Sequence, residues 1–487
     1  MRLRETGRQI WNGPFSTKLA RGKMRPSSNR TATAVMPNRW ADFEPMPYIE
    51  AEMMSLPKCE DDIPTIDASD LTAAEFAERF MRPNKPVLLT NIGCESWKAF
   101  DEWTKVDGSG ERVPDVSRMS ELFGDAKVLV VDCEAPLDTD LSRREMRFEE
   151  YARYFRIRGD GSRSDGGDKR LLYCKDWTFT EDFPEYPAYQ TPPHFADDWL
   201  NEYWDEQRGK GVGDGLGSHR FVYLGVEGTH TPLHADVLRS FSWSVNLAGH
   251  KRWLMVPPHR SRHLLDCTGR RHYHDLERWR QSDWNTFPTV DRAFPLMIIQ
   301  PPNSALFVPS LWYHQVRNLT DCLSVNHNWF NASNARLSWA MLRDELDDVR
   351  AGLPDQDDRG DGVLCQSLVE RKAGADFKTF AGILASAIRR YMRRAVGEWE
   401  SERRTRSGKR RRLDGENKLD DENERGLRVA VDLLEEVLDA DDEEGASAVA
   451  SAWEGSEGAL EEARDALKKG RETLVGNERL GRRLDRK

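Results

Sequence analysis

Apolar and polar positions along the chain change texture several times, and each change predicts a different kind of element. "DDIPTIDASDLTAAEFAERFMRPNKPVLLTNIG" reads as a short strand, a helix over "LTAAEFAERFM" capped by Ser69 or Asp70, and a second strand over "KPVLL". "AKVLVVD" (126–132) predicts another strand and "RFEEYARYFRIR" (147–158) a helix, which together make residues 46–170 an α/β module. The loop "GDGSRSDGGDKR" (159–170) has nothing to pack into a core and marks the expected end of that module.

From 171 to about 340 the pattern becomes short β-type runs punctuated by Gly and Pro: "RLLYCKDW", "HRFVYLGVEG", "SFSWSVNLAGHKRWLMVPP", "LMIIQPPNSALFVPS" and "WYHQVRNLTDCLSVNHNWF". Closely spaced strands without helices between them predict a β-sandwich or barrel. "SWSVN-LAG-HKRWLMV" is a strand, a Gly-containing connection and a strand, so a hairpin is expected there. Helical periodicity takes over in "ARLSWAMLRDELDDVRAGL" and "FKTFAGILASAIRRYMRRAVGEWESERR", giving a helical region over 341–400. Residues 401–487 form a charged, partly helical tail that opens with the basic cluster "RRTRSGKRRR" (403–412). That cluster fits a solvated linker, a nuclear import signal or a patch for an acidic partner.

Composition narrows the function classes. Sixteen Trp and nineteen Phe exclude a wholly disordered chain, and 487 residues predict two or three folded units. A net charge of −11 argues against direct, non-specific binding of nucleic acid. The seven cysteines are scattered with no CxxC pair, which predicts thiols in a reducing compartment and no cysteine zinc site. No apolar run approaches the ~20 residues of a membrane span. The expected location is the cytoplasm or nucleus. Residues 1–45 form a basic leader, with nine Arg or Lys and only Glu5 as an acid up to residue 41; its composition resembles a mitochondrial transit peptide, and a disordered leader or misassigned start is the simpler reading.

Histidine usage then points to the site. Ten of eleven histidines fall between 219 and 327. "THTPLHADV" places His234 and Asp236 two apart, so on a strand both side chains leave one face and can share a metal. Seventy-eight residues beyond Asp236, "ALFVPSLWYHQVRNL" supplies His314 after a Pro-Ser turn. Two His and one carboxylate on a β scaffold suit Fe(II) with open coordination positions, and zinc with a bound water is the competing metal. Lys251, amid Trp253, Leu254 and Met255, is read as the cation for the distal carboxylate of a chelating 2-oxo acid; a snorkelling edge lysine is the plainer alternative. By strand alternation Trp243 and His327 face the core.

"HTPLHADVLRSFSWSVNLAGHKRWLMVPP" with "FVPSLWYHQVRNLTDCLSVNHNWFN" resembles the Jumonji-C (JmjC) family of Fe(II)/2-oxoglutarate oxygenases, and within it the small hydroxylase-type group that includes a lysyl hydroxylase of the translation-termination release factor. The resemblance covers roughly 50–340, including "MRPNKPVLLTNI" and "LYCKDW". It implies a mainly β core, a double-stranded β-helix (jelly roll, cupin-like) over 171–340, preceded by the α/β module and followed by helices. It implies His234, Asp236 and His314 as iron ligands and Lys251 as the 2-oxoglutarate anchor, with Thr231, Asn326 and Asn328 as further cosubstrate contacts and Tyr173 as an upstream aromatic one. The reaction implied uses Fe(II), 2-oxoglutarate and O₂ on a protein substrate, a release-factor-like protein first and a methylated histone second. A zinc hydrolase and a non-catalytic peptide-binding module are the rivals. Nothing in the sequence addresses oligomeric state.

Overall fold

The computed structural model describes residue 48 and residues 62–135, 143–159, 170–211, 219–281, 283–353, 362–405, 420–443 and 457–484. The basic leader, most of the 159–170 loop and the basic cluster beyond Thr405 lie outside the described residues. Fifteen strands are present among them: β1 (Thr65–Asp67), β2 (Val87–Thr90), β3 (Thr104–Val106), β4 (Arg112–Pro114), β5 (Lys127–Asp132), β6 (Arg143–Arg147), β7 (Leu172–Trp177), β8 (Arg220–Gly225), β9 (His230–His234), β10 (Phe241–Ala248), β11 (Lys251–Val256), β12 (Leu296–Gln300), β13 (Ser304–Val308), β14 (Tyr313–Asn318) and β15 (Cys322–Trp329). The helices are α1 (Ala73–Phe76), α2 (Lys98–Trp103), α3 (Val116–Phe123), α4 (Phe148–Gly159), α5 (Phe179–Asp182), α6 (Trp199–Gly209), α7 (Ala335–Gly352), α8 (Gly362–Ala373), α9 (Phe377–Thr405), α10 (Asp421–Glu443) and α11 (Glu457–Leu484). None of the described helices is long and apolar enough to cross a membrane.

A nine-stranded sheet runs β1-β2-β13-β10-β15-β8-β7-β5-β6, and a four-stranded sheet runs β12-β11-β14-β9. From β8 onward the chain shuttles between them. β8, β10, β13 and β15 lie in the large sheet, while β9, β11, β12 and β14 lie in the small one. This shuttle is the double-stranded β-helix, a jelly-roll core as expected.

The shuttle overturns one local expectation. β10 and β11 are not a hairpin: β10 pairs with β13 and β15, whereas β11 pairs with β12 and β14. The chain instead turns a corner between the sheets at Gly249, whose φ of +75° and close approach to the Asp321 carbonyl leave no room for a Cβ. A short Gly-containing connection has the same local chemistry in a hairpin and at such a corner; only long-range pairing separates them.

Of the strands before the 159–170 loop, only β3 and β4 pair apart, as a two-stranded sheet; the others join the large one. β1 and β2 extend one edge of the large sheet, and β5 and β6 extend the other through β7. One apolar cluster joins them to the jelly roll: Phe76, Trp103 and Tyr151 share it with Trp177, Trp243, Phe307 and Trp329. Trp243 is core as expected, and His327 packs against it with ring centroids 4.1 Å apart. The cap of α1 is Thr72 rather than Ser69 or Asp70. Thr72 and Glu75 form a reciprocal capping box, while Asp67 caps the short turn that holds Ser69 and Asp70.

The C-terminal helices are core elements. Leu427, Leu434 and Leu474 from α10 and α11 share a cluster with Trp199 of α6, Phe330 beyond β15, and Trp339, Phe380 and Ile388. Arg390, buried on α9, pairs with Asp197 at 2.7 Å and Glu202 at 3.1 Å. The charged composition of the tail hid this because each helix exposes one polar face and buries a narrow apolar stripe.

Candidate metal centre

The small sheet lines up the key side chains by register. His314 stands opposite His234, Val316 opposite Thr231, Met255 opposite His314 and Lys251 opposite Asn318. Directly opposed residues share a face, so these side chains all enter the barrel. Thr231 and His234 are three apart, which on a regular strand would put them on opposite faces. An irregularity between His314 and Val316 in the β14·β9 pairing absorbs the extra residue and brings both inside.

His234 ends β9, Asp236 follows two residues later, and His314 is the second residue of β14. One ligand atom from each lies within 4.8 Å of the other two, so the group can hold a metal ion. His234 Nδ1 lies 2.8 Å from the Pro232 carbonyl, and His314 Nδ1 lies 3.0 Å from that of Trp312. A carbonyl only accepts, so each Nδ1 carries the proton and each Nε2 presents its lone pair. Ser242 Oγ donates to Asp236 Oδ2 at 2.7 Å, which orients the carboxylate. Burial pushes the Asp236 carboxyl up, but the neighbouring His314 and His234 and hydrogen bonds from Ser242 and Asn328 outweigh it and leave it below the usual range. Burial, with His314 close by, holds the His234 imidazole down at about 3, so it is neutral and free to ligate.

Lys251 opens β11 and is 1% exposed, so it is no snorkelling edge residue. Its Nζ donates to Ser324 Oγ at 2.7 Å, and Ser324 in turn donates to Asn326 Oδ1 at 2.9 Å. The Tyr223 ring lies 6.0 Å away. Among the described residues no carboxylate pairs with Lys251, and burial lowers its ammonium to about 8. Three further buried polar atoms lack partners on the inward faces of these strands: Ser244 Oγ, Asn246 Oδ1 and Asn318 Oδ1. A buried cation with no carboxylate partner among the described residues, on strands whose inward faces also carry unsatisfied polar atoms, fits a dicarboxylate such as 2-oxoglutarate.

The other expected site residues divide. Asn326 joins the Lys251 pocket through Ser324, whereas Asn328 lies beside Asp236 and donates to Ser240 Oγ at 3.1 Å. Thr231 faces inward, opposite Val316. Tyr173 is buried opposite Gly225, its ring 6.0 Å from Tyr223. Ser242 and Ser324 escaped the sequence reading. Their signal was alternation, since Ser324, Asn326 and Asn328 occupy every second position of β15 and Ser242 and Ser244 do so on β10.

With this geometry in hand, comparison with known proteins gives a consistent picture. Residues 73–335 match the family described as a cupin-like domain. The chain is 35% identical over 318 residues to the zebrafish 2-oxoglutarate and iron-dependent oxygenase JMJD4, covering 65% of this chain and 72% of that protein. It is 33% identical to human JMJD4, covering 63% of this chain and 71% of that one. Arginine-specific demethylase JMJ20 of Arabidopsis thaliana is 35% identical over 328 residues, 65% of this chain and 68% of the plant protein. Sheet order, inward-facing triad and sequence similarity agree, and the chain belongs to the cupin-like (JmjC) domain family.

Proposed function

We propose that this protein is an Fe(II)- and 2-oxoglutarate-dependent oxygenase that hydroxylates a lysine side-chain carbon in a protein substrate of the termination-factor kind. The observation that carries this reading is Lys251: a fully buried ammonium without a carboxylate partner among the described residues, on the same inner sheet face as His234 and His314. In this reading His234 Nε2, His314 Nε2 and an Asp236 oxygen hold the iron. Lys251, steadied by Ser324 and Asn326, takes the distal carboxylate of the cosubstrate, and Thr231 lies on the inner face between them. When bound, the iron centre supplies oxidative decarboxylation of 2-oxoglutarate to succinate and CO₂, coupled to insertion of one oxygen atom into a C–H bond. The chain's own contribution is orientation and dryness: the Nδ1 to carbonyl bonds fix both imidazoles, Ser242 and Asn328 fix Asp236, and the two sheets close around the pocket.

Arginine demethylation is the second reading, favoured by the similarity to JMJ20 and by 28% identity to the Caenorhabditis elegans protein named bifunctional arginine demethylase and lysyl-hydroxylase psr-1. Histone N-methyl-lysine demethylation would use the same iron chemistry. Incubating the Fe(II)-loaded protein with termination-factor peptides and with methylated histone peptides, read by mass, separates the outcomes. Gain of one oxygen on a lysine supports the hydroxylase; loss of methyl alone overturns it.

A further inference from the structure

The strand β7 carries an irregularity that the iron and cosubstrate sites leave unexplained. Cys174 stands opposite Leu224 and Trp177 opposite Val222, so three steps on β7 match two on β8. Cys174 and Trp177 both remain buried in the large outer cluster. The extra residue therefore falls within Lys175–Asp176, and both of these side chains are half-buried rather than sunk in the core. Asp176 has a φ of +59°, a conformation that L-residues other than Asn and Asp rarely adopt. Strain of this kind tends to sit where a side chain has to be aimed.

The aim of Asp176 is visible. Its Oδ1 accepts from the Tyr223 hydroxyl at 2.7 Å, and Tyr223 is the ring beside Lys251 Nζ. Burial, with the charges of Asp176 and Asp236, holds the pKa of that hydroxyl up, so it stays protonated and donates to Asp176. Among the described residues no cation pairs with Asp176. Asp275 and Glu277, by contrast, are committed to cations: Asp275 pairs with Arg278, and Glu277 pairs with Arg252 and Arg317. Lys175 acts instead on Cys133 and His234, and no ion pair joins it to Asp176.

We infer that Asp176 is a specificity-determining residue that receives the cationic end, ammonium or guanidinium, of the target side chain, held in place by the Tyr223 hydroxyl and the β7 bulge. The inference rests on the oxygenase reading and names the charge of its substrate residue. A target carbon must reach the iron while its charged terminus stays paired, and a carboxylate with one oxygen already anchored offers the other to that terminus.

The test uses the full chain loaded with Fe(II) and two peptides of one termination-factor segment, differing only by lysine or the isosteric, uncharged norleucine. Peptide-dependent succinate release gives KM and kcat for each, and a separate titration gives the 2-oxoglutarate dissociation constant. Asp176→Asn is the first variant, because Asn tolerates the same backbone, and Tyr223→Phe is the second. The wild type should favour lysine through KM by about ten- to a hundredfold. Asp176→Asn should erase that preference with 2-oxoglutarate affinity retained, and Tyr223→Phe should reduce it. Retained preference in Asp176→Asn overturns the inference. So does a loss of 2-oxoglutarate affinity shared by both variants with the peptide preference intact, which would make Asp176 a positioning residue for Tyr223. A wild type that consumes 2-oxoglutarate yet treats both peptides alike also overturns it, whereas a wild type that consumes none under any condition overturns the oxygenase reading itself.

Discussion

Replacing Lys251 by Met retains the aliphatic length of the side chain and removes its charge. In the fold Lys251 is 1% exposed, and its ammonium donates to Ser324 Oγ at 2.7 Å. A charge-assisted hydrogen bond contributes about 1.5–3 kcal/mol, more when the carboxylate is left buried and unpaired. The 2-oxoglutarate dissociation constant should therefore rise by about ten- to a few hundredfold. Stability should move the other way. Burial lowers the Lys251 pKa from 10.5 to about 8, which corresponds to a cost on the order of 3 kcal/mol for holding the charged form inside. Met avoids that cost, and loss of the Ser324 contact gives back about 1 kcal/mol. The variant should melt at the same temperature as the wild type or higher. Anaerobic titration of the metal-loaded variant with 2-oxoglutarate, alongside thermal unfolding of the metal-free protein, measures both effects. Wild-type affinity would refute the reasoning and move the anchor elsewhere. Arg252 is a poor substitute because Glu277 pairs with it on the outer side of the sheet, and Arg239 lies over the Tyr313 ring at 5.9 Å.

Four other outcomes follow from the same structure. Since Lys251 must be protonated to hold a carboxylate and titrates near 8 in the free protein, 2-oxoglutarate affinity should fall about tenfold per pH unit above 8. The sign reverses for stability: between about 8 and 10.5 the unfolded chain binds the proton that the folded chain has lost, so the metal-free protein should gain stability with rising pH across that window, as denaturant midpoints would record. Gly249→Ala forces a Cβ to 2.0 Å from the Asp321 carbonyl oxygen at a φ of +75°, and should destabilise by roughly 3 kcal/mol or more in urea unfolding, whereas a hairpin turn there would tolerate it better. Truncation at about residue 395 removes α10 and α11 and uncovers Tyr391 and Ile388; the product should lose soluble, cooperative folding, and a stable, cooperatively melting fragment would show that these helices are an appendage.

Much of the site was readable because its chemistry is written in short stretches. His234 and Asp236 are two residues apart, His314 follows a recognisable turn, and Lys251 is conspicuous among apolar neighbours. What escaped depends on contacts that the local pattern does not encode. The β10–β11 corner looks like a hairpin until β13, β14 and β15 claim its two strands. Thr231 and His234, three apart, share a face only because an irregularity adds a residue to the register, and the extra residue at Lys175–Asp176 in β7 is equally invisible in the local pattern. The helices beyond residue 401 carry so many charges that their apolar stripes disappear in the average, although Leu427, Leu433 and Leu434 are fully buried. Thr72 was available as a cap on sequence alone, since Glu75 stands three residues after it; the earlier Ser69 and Asp70 drew attention to the wrong turn.

The central claim is that His234, Asp236 and His314 hold an iron that turns over 2-oxoglutarate. Its most direct test is succinate formation and oxygen uptake by protein purified without oxygen, reconstituted with Fe(II) or with Zn(II), in the wild type and in Asp236→Ala. Succinate formation and oxygen consumption should run in step with Fe(II) alone, and both should be lost, with weakened metal binding, in the variant. Full activity with zinc and no oxygen uptake, or unchanged turnover in Asp236→Ala, would contradict it.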